Sequence, residues 1–290
     1  HKILRHKSKE YIKSKKILEI NNDRTENNFI LTAGPSISEM DKFNVYNAVE
    51  NGWNKNWSNY LKKFESKFSQ KIQRKYCIAT SSCTGALQIA LMALDIGPGD
   101  EVIVPDITWV STASVVQAVG AKPIFADVKL EDWTIETKNL EKLINKKTKA
   151  IMPVHLYGMP ANCEALKKIS NKYKLKIIED AAPAIGASFK KIACGNIGEF
   201  SAFSFQGAKL LVTGEGGMLT TNNYQLYKKA LKIADFGRDP KKTFWINSPG
   251  VKFKMSNMQA ALGLGQLNRL NEMIMMKRTI FSWYEKFLNE

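Results

Sequence analysis

The first regular pattern along the chain is helical. Ser38 stands where it can cap a helix running to about Glu50, with Phe43, Val45, Tyr46 and Val49 giving a mixed apolar face. Gly52 to Trp57 breaks that pattern, and Tyr60, Leu61, Phe64 and Phe68 mark the buried stripe of a second helix. From Tyr76 the period changes. Strands are predicted at Tyr76–Ala79, Glu101–Val104, Pro123–Phe125, Ala150–Val154 and Lys176–Glu179. Helices alternate with them at about Gly85–Leu94, Ser111–Val119, Leu140–Ile144 and Cys163–Tyr173. This βαβα rhythm, with apolar and β-branched strands, predicts an α/β fold whose largely parallel sheet is covered by helices. Phe200–Phe205 and Gly217–Thr221 read as shorter strands with no long helix between them, and a long helix is expected from about Met255 through Tyr284. The chain thus divides into a peripheral basic arm (residues 1–30), a large domain (31–255) and a long helix (256–290).

Composition narrows the class. The 290 residues are 44% hydrophobic and 24% charged, as in soluble globular proteins. The longest uncharged run, Val102 to Ala121 apart from Asp106, carries Ser, Thr, Gln and Pro and is too polar to span a membrane. No apolar segment near the N-terminus resembles a signal peptide, so a cytoplasmic location is expected. Cys77, Cys83, Cys163 and Cys194 lack metal-knuckle spacing and are expected as buried free thiols, with no metal site. The formal charge of +16 raises nucleic acid as a partner. Its lysines are scattered and interleaved with acids outside the arm, and no reading element accompanies them. A substrate carrying phosphates fits the same field.

Four pieces of chemistry converge. Ser81-Ser82-Cys83-Thr84-Gly85 is neither a Gly-x-Gly-x-x-Gly loop nor a Walker A motif. It is a hydroxyl-rich turn before a helix N-terminus, suited to a phosphate and equally to an ordinary helix cap. Trp109 lies just beyond the strand ending near Pro105, where an indole could cover a flat ring. Asp180 ends the strand Ile177–Glu179 at the carboxyl edge where α/β sheets take ligands. Lys209 lies between a serine-bearing apolar segment (Ser204) and a glycine-rich turn, Gly214 to Gly217. It either merely closes a strand or serves as an amine nucleophile towards a carbonyl. An aromatic cofactor with a phosphate, a ring nitrogen and an aldehyde needs all four.

These stretches, in this order, resemble the DegT/DnrJ/EryC1/StrS sugar aminotransferases. The matching runs are Ser82–Leu87, Gly97–Pro105, Pro153–Gly158, Ile178–Ala182, Phe203 through Lys209, Thr213–Met218 and Lys254–Ala261. The resemblance implies the pyridoxal-phosphate fold type I: a three-layer sandwich around a mostly parallel seven-stranded sheet, with the small C-terminal domain largely missing beyond residue 290. Within it Lys209 would be the amine that holds pyridoxal 5'-phosphate and Asp180 the partner of the ring nitrogen. Trp109 would stack on the ring, and Ser82, Cys83, Thr84, Gly85 and Ser204 would surround the phosphate. His155 would orient or pack near the cofactor or move a proton, and Glu215 would shape the loop beside the substrate. Lys252 to Asn257 would reach the neighbouring site of a homodimer. The implied reaction moves an amino group from L-glutamate to a nucleotide-diphosphate-linked keto-deoxysugar, as in perosamine-type synthesis. Some relatives are dehydratases, but those replace the lysine by histidine. Three positions depart from the usual pattern: Cys83 for glycine, Pro183 for glutamine and Lys252 for asparagine. They suggest a subgroup with its own substrate preference.

Overall fold

The computed structural model describes residues 34–239 and 241–288, so the arm expected over residues 1–30 lies outside the described residues. A seven-stranded sheet forms the middle layer, in the order β1-β9-β8-β5-β4-β2-β3. Its strands are β1 (Tyr76–Thr80), β2 (Glu101–Pro105), β3 (Lys122–Ala126), β4 (Thr148–Ile151), β5 (Lys176–Asp180), β8 (Phe200–Ser204) and β9 (Gly217–Thr221). Only β9 runs against its neighbours β1 and β8, and every other pairing is parallel. A two-stranded hairpin, β6 (Ser188–Phe189) and β7 (Ile192–Ala193), stands apart. The mostly parallel, helix-covered α/β sheet is the expected one.

Helix α1 (Glu39–Asn51) begins at Ser38 with a full capping box: Ser38 Oγ accepts from Asp41 N–H and Asp41 accepts back from Ser38 N–H. Its buried face is not the expected apolar one. Asp41, Asn44 and Ala48 are buried, whereas Val49 is exposed. The reason lies across the interface in α7 (Asn257–Asn268), whose buried Gln266 donates to Asp41 Oδ2 at 2.8 Å. Gly265 lets Asp41 approach, because a Cβ there would collide with its carboxylate. Helix α2 (Asn59–Ile72) does bury Phe64 and Phe68 as its period predicted, and Phe64 closes on Gly263, where a Cβ would lie 2.7 Å from the ring.

Other expectations change. The helix foreseen at Leu140–Ile144 is one 3-10 turn, Leu140–Leu143, because only Leu140 is buried to anchor it. The long C-terminal helix is two, α7 and α8 (Leu270–Leu288), which meet at Arg269. An unforeseen helix, α6 (Tyr224–Ile233), follows β9 and is capped by Asn223, which accepts from Gln225 and Leu226 N–H groups. Helices α3 (Cys83–Ala93), α4 (Ser111–Ala118) and α5 (Cys163–Tyr173) fall at or near their predicted places. No helix among the described residues is long and apolar enough to cross a membrane.

The strands sit between apolar layers: Leu87, Val104, Ile178 and Leu219 in one, and Ile103, Ile151, Leu166 and Ile177 in another. Edge strand β1 is covered by the segment Phe253–Met255, with Ser81 N–H donating to the Phe253 carbonyl at 2.8 Å. Its outward Ala79 N–H donates to Glu65 Oε1 of α2 at 2.8 Å. Burial pushes the Glu65 carboxyl up from 4.5 to about 7, against the opposing pull of that N–H, Lys254 and Lys62. The folded state therefore binds this proton more tightly than the unfolded chain. The stability it contributes is full below the ordinary carboxylate value and is lost as pH rises through about 7. Glu65→Gln keeps an acceptor for Ala79, so it is expected to unfold at higher denaturant than the parent at pH 8, by on the order of 2 kcal/mol, and to match it near pH 4. Chemical denaturation at the two pH values checks this.

Candidate active site

The carboxyl ends of β1, β5 and β8 and the start of β9 share one edge of the sheet, and the chemistry gathers there. After β1 the chain turns at Ser82, extended at φ −163°, ψ 162°, to start α3. Ser82 Oγ accepts from Gly85 N–H at 3.0 Å, so its hydroxyl acts as the helix cap. A helix start has no intrahelical acceptors for its first N–H groups, so those of Cys83 and Thr84 are suited to an anion. Both glycines here are sterically required. A Cβ on Gly85 would come within 2.9 Å of the Phe253 ring, and one on Gly217 would lie 2.5 Å from Cys83 N. The cradle and the first residue of β9 are thus in backbone contact.

Asp180, at the end of β5, is buried with 4% exposure. Thr112 Oγ1 in the first turn of α4 donates to its Oδ2 at 2.9 Å, and Ala182 N–H donates to its Oδ1 at 3.1 Å. Burial raises its carboxyl above the ordinary value, and these two donors together with the Lys209 charge oppose the rise. Burial likewise lifts the Cys83 thiol far above its usual range; Asp180 adds to that lift and Lys209 counters it. Lys209 is therefore near enough to both Cys83 and Asp180 for its charge to favour their ionised forms. The Cys83 thiol is neutral and inert there.

Lys209 is carried on a loop closed by backbone hydrogen bonds. Phe205 N–H donates to Gly216 O at 2.9 Å, Thr213 N–H to Phe205 O at 2.7 Å, and Lys209 N–H to Gln206 O at 2.8 Å. Gly214 takes φ +83°, a left-handed position that completes the turn. Lys209 is half-buried and lines a cleft of about 800 Å³ together with Tyr157, Pro183, Lys277, Arg278 and Phe281. Neither Asp180 nor the Ser82–Gly85 turn lines that cleft. Ser204 is buried and its Oγ accepts from Gln206 N–H at 3.4 Å. Trp109, just before α4, is 77% exposed, so its indole is unencumbered.

The remaining candidates divide. His155 is fully buried: its Nδ1 accepts from Ala161 N–H at 3.1 Å and its Nε2 meets Glu179 Oε2 at 3.1 Å. Glu215 exposes its side chain and anchors the loop through its carbonyl, which accepts from Thr213 Oγ1 and Gln259 Nε2, each at 2.7 Å. Lys252 is exposed and bonds Asp235 at 2.9 Å. Asn257 ties α1 to α2 within its own chain, accepting from Tyr60 N–H at 3.0 Å and donating to Gly52 O at 3.4 Å. All four cysteines are buried free thiols. Sequence reading overlooked Thr112 and Glu179. Thr112 had one available signal: it lies three residues past Trp109, in the turn facing the end of β5.

The profile of one protein family matches residues 35–290. The chain belongs to the DegT/DnrJ/EryC1/StrS aminotransferase family. It is 37% identical over 259 residues to a GDP-perosamine synthase of Caulobacter vibrioides, covering 89% of this chain and 70% of that protein. It is 38% identical over 255 residues to a GDP-perosamine synthase of Escherichia coli O157:H7, covering 88% and 70%. Among solved structures it resembles an aminotransferase from Psychrobacter cryohalolentis, with a TM-score of 0.79 and 34% identity over 84% of this chain and 65% of that one. A putative sugar aminotransferase of Streptococcus pneumoniae in its PLP form superposes with a TM-score of 0.84 at 29% identity, over 89% and 71%. The chain therefore spans roughly two thirds of the length of such family members.

Proposed function

We propose that this chain binds pyridoxal 5'-phosphate and transfers an amino group from L-glutamate to a nucleotide-diphosphate-linked keto-deoxysugar, giving an amino sugar and 2-oxoglutarate. The observation that carries this reading is Asp180: a buried carboxylate at the ligand edge of the sheet, near enough to Lys209 for the lysine's charge to favour its ionised form. Its burial raises the carboxyl, so a cationic partner there would relieve it. A protonated ring nitrogen is such a partner, and the donor set fits the rest of the group. The N–H groups of Cys83 and Thr84, with the Thr84 hydroxyl, would hold the phosphate, and the open indole of Trp109 would cover the ring.

Bound there, pyridoxal phosphate supplies an aldehyde carbon that takes up and hands on nitrogen, and a ring that withdraws electrons from the substrate carbon. Lys209 would hold the cofactor through its amine until an amino substrate displaces it. Its freed amine would then take a proton from the substrate carbon and return it elsewhere. Asp180 would remain ionised and keep the ring nitrogen protonated. The reading of the acceptor rests on the GDP-perosamine synthases among the relatives and on the formal charge of +16, which suits a diphosphate. A homodimer with shared sites fits the exposed aromatic residues Trp53, Trp57, Phe236, Phe244 and Trp245.

With added pyridoxal phosphate, the protein is expected to develop a visible absorption band that L-glutamate shifts to shorter wavelength, with 2-oxoglutarate released. Supplying 15N-glutamate and a GDP-linked keto-deoxysugar should then put the label in the sugar, read by mass spectrometry. A band that glutamate leaves unmoved would overturn the choice of donor.

A further inference from the structure

We infer that the buried pair Glu179 and His155 is the positioning element for Asp180, holding its carboxylate where the proposed cofactor's ring nitrogen would meet it. This inference rests on the reading of Asp180 given above. Strand β5 alternates faces. Ile178 packs in the layer that contains Cys83, whereas Ile177 packs in the layer on the other side. Glu179 therefore points away from the site while Asp180, the next residue, points into it.

A carboxylate fully buried on the far face is costly unless donors surround it. Glu179 has five. Its Oε1 accepts from Ile197 N–H at 2.8 Å, Gly198 N–H at 2.8 Å and Ser201 Oγ at 2.9 Å. Its Oε2 accepts from Gly195 N–H at 2.8 Å and from the His155 ring at 3.1 Å. Burial alone would raise this carboxyl. The His155 bond, followed by the Gly198 and Ile197 amides, outweighs it and holds the group below its ordinary value. Because His155 Nδ1 accepts from Ala161, the ring proton is on Nε2 and is donated to Glu179. Both ring nitrogens are engaged inside the protein, so His155 has none left for moving a substrate proton.

The backbone shows what this arrangement does. On one side the end of β5 pairs with β8, where Asp180 faces Ala202. On the other side β4 has already ended at Ile151. The last rungs there are Asp180 N–H to Pro153 O at 2.9 Å and His155 N–H to Asp180 O at 3.1 Å. His155 thus grips both residues of the strand end, Glu179 by its ring and Asp180 by its backbone. Without the ring bond, the loop carrying this rung loses its anchor, and the aim of Asp180 loosens.

The test compares His155→Phe, which fills the space without a donor, with His155→Gln, which offers an amide donor and a carbonyl acceptor, and with Glu179→Gln. In the cofactor-free protein, hydrogen exchange at the Ala182 amide, which donates to Asp180 Oδ1, should speed up about tenfold in His155→Phe and Glu179→Gln. Exchange at the remote Leu94 amide should stay unchanged, and His155→Gln should restore the parental rate at Ala182. Dissociation constants for pyridoxal phosphate should weaken about tenfold in the same two variants and recover to within about threefold in His155→Gln. The visible band of the bound cofactor should move only in the variants that bind weakly. If His155→Phe does not fold, Glu179→Gln alone carries the comparison. Parental exchange at Ala182 in the folded variants, or equal acceleration at Leu94, would overturn the inference. If the parent itself binds no pyridoxal phosphate, the cofactor reading fails, while the exchange result still decides whether this pair positions Asp180.

Discussion

Replacing Lys209 with alanine is expected to lower turnover about 10⁴-fold or more, because no neighbouring amine can take over both of its roles. Lys209 is the lysine whose charge favours the ionised forms of Asp180 and Cys83. Lys252 and Lys254, at the segment that covers β1, are engaged by Asp235. The fold should survive, since the loop is held by backbone bonds among Phe205, Gln206, Thr213 and Gly216 rather than by the Lys209 side chain. Borohydride reduction of the parent with pyridoxal phosphate should place a covalent mark on Lys209 in a peptide map. The alanine variant should keep its circular dichroism and lose the mark. Reduction that still labels the variant at another lysine would assign the nucleophile elsewhere.

Asp180→Asn is expected to separate stability from activity. Turnover should fall about 10²–10³-fold, the scale of losing one preorganised electrostatic partner in a closed site. The cofactor-free protein should instead become harder to unfold at neutral pH. Burial raises the Asp180 carboxyl in the folded state, so ionising it there opposes folding, and a neutral amide removes that opposition. The gain should disappear in acid, below the ordinary carboxylate range, where the parent is protonated in both states. Thr112 can rotate its hydroxyl to accept from the new amide, and Ala182 keeps its acceptor, so both bonds have counterparts. Melting curves of the apoprotein at pH 3 and pH 8, set beside turnover, give both halves of the result. A variant that is less stable at pH 8 would contradict the account of Asp180 as a buried charge.

Much of this was legible in the chain because parallel strands are buried on both faces. Runs such as Val102–Val104 and Ile177–Ile178 declare themselves without any partner being known. The ends of those strands are equally plain, which is why Asp180 and the Ser82–Gly85 turn could be placed together. Features that depend on a partner were not legible. The polar face of α1 makes sense only against Gln266 and Gly265, more than two hundred residues away. Asn257 looked available for an outward contact, yet it bridges Tyr60 and Gly52. Helix α6 carries lysines and tyrosines around a narrow apolar stripe, and only Ala230 and Ile233 are buried. Glu179 looked like an ordinary strand residue, because nothing in a linear pattern shows that five donors converge on it.

The pairing of β1 with β9 bears on how this protein is made. Tyr76 aligns with Thr221 and Thr80 with Gly217, partners about 140 residues apart in the order of synthesis. At ordinary elongation rates of about 5–20 residues per second, β1 waits roughly 7–30 seconds on the ribosome before its partner emerges. Throughout that interval the Ser82–Gly85 turn lacks the Gly217 backbone against which it packs. A nascent chain interrupted between residues 210 and 216 would carry Lys209 and Asp180 and still offer an incomplete cradle, so a cofactor taken up as proposed would be expected to enter late in translation or after release.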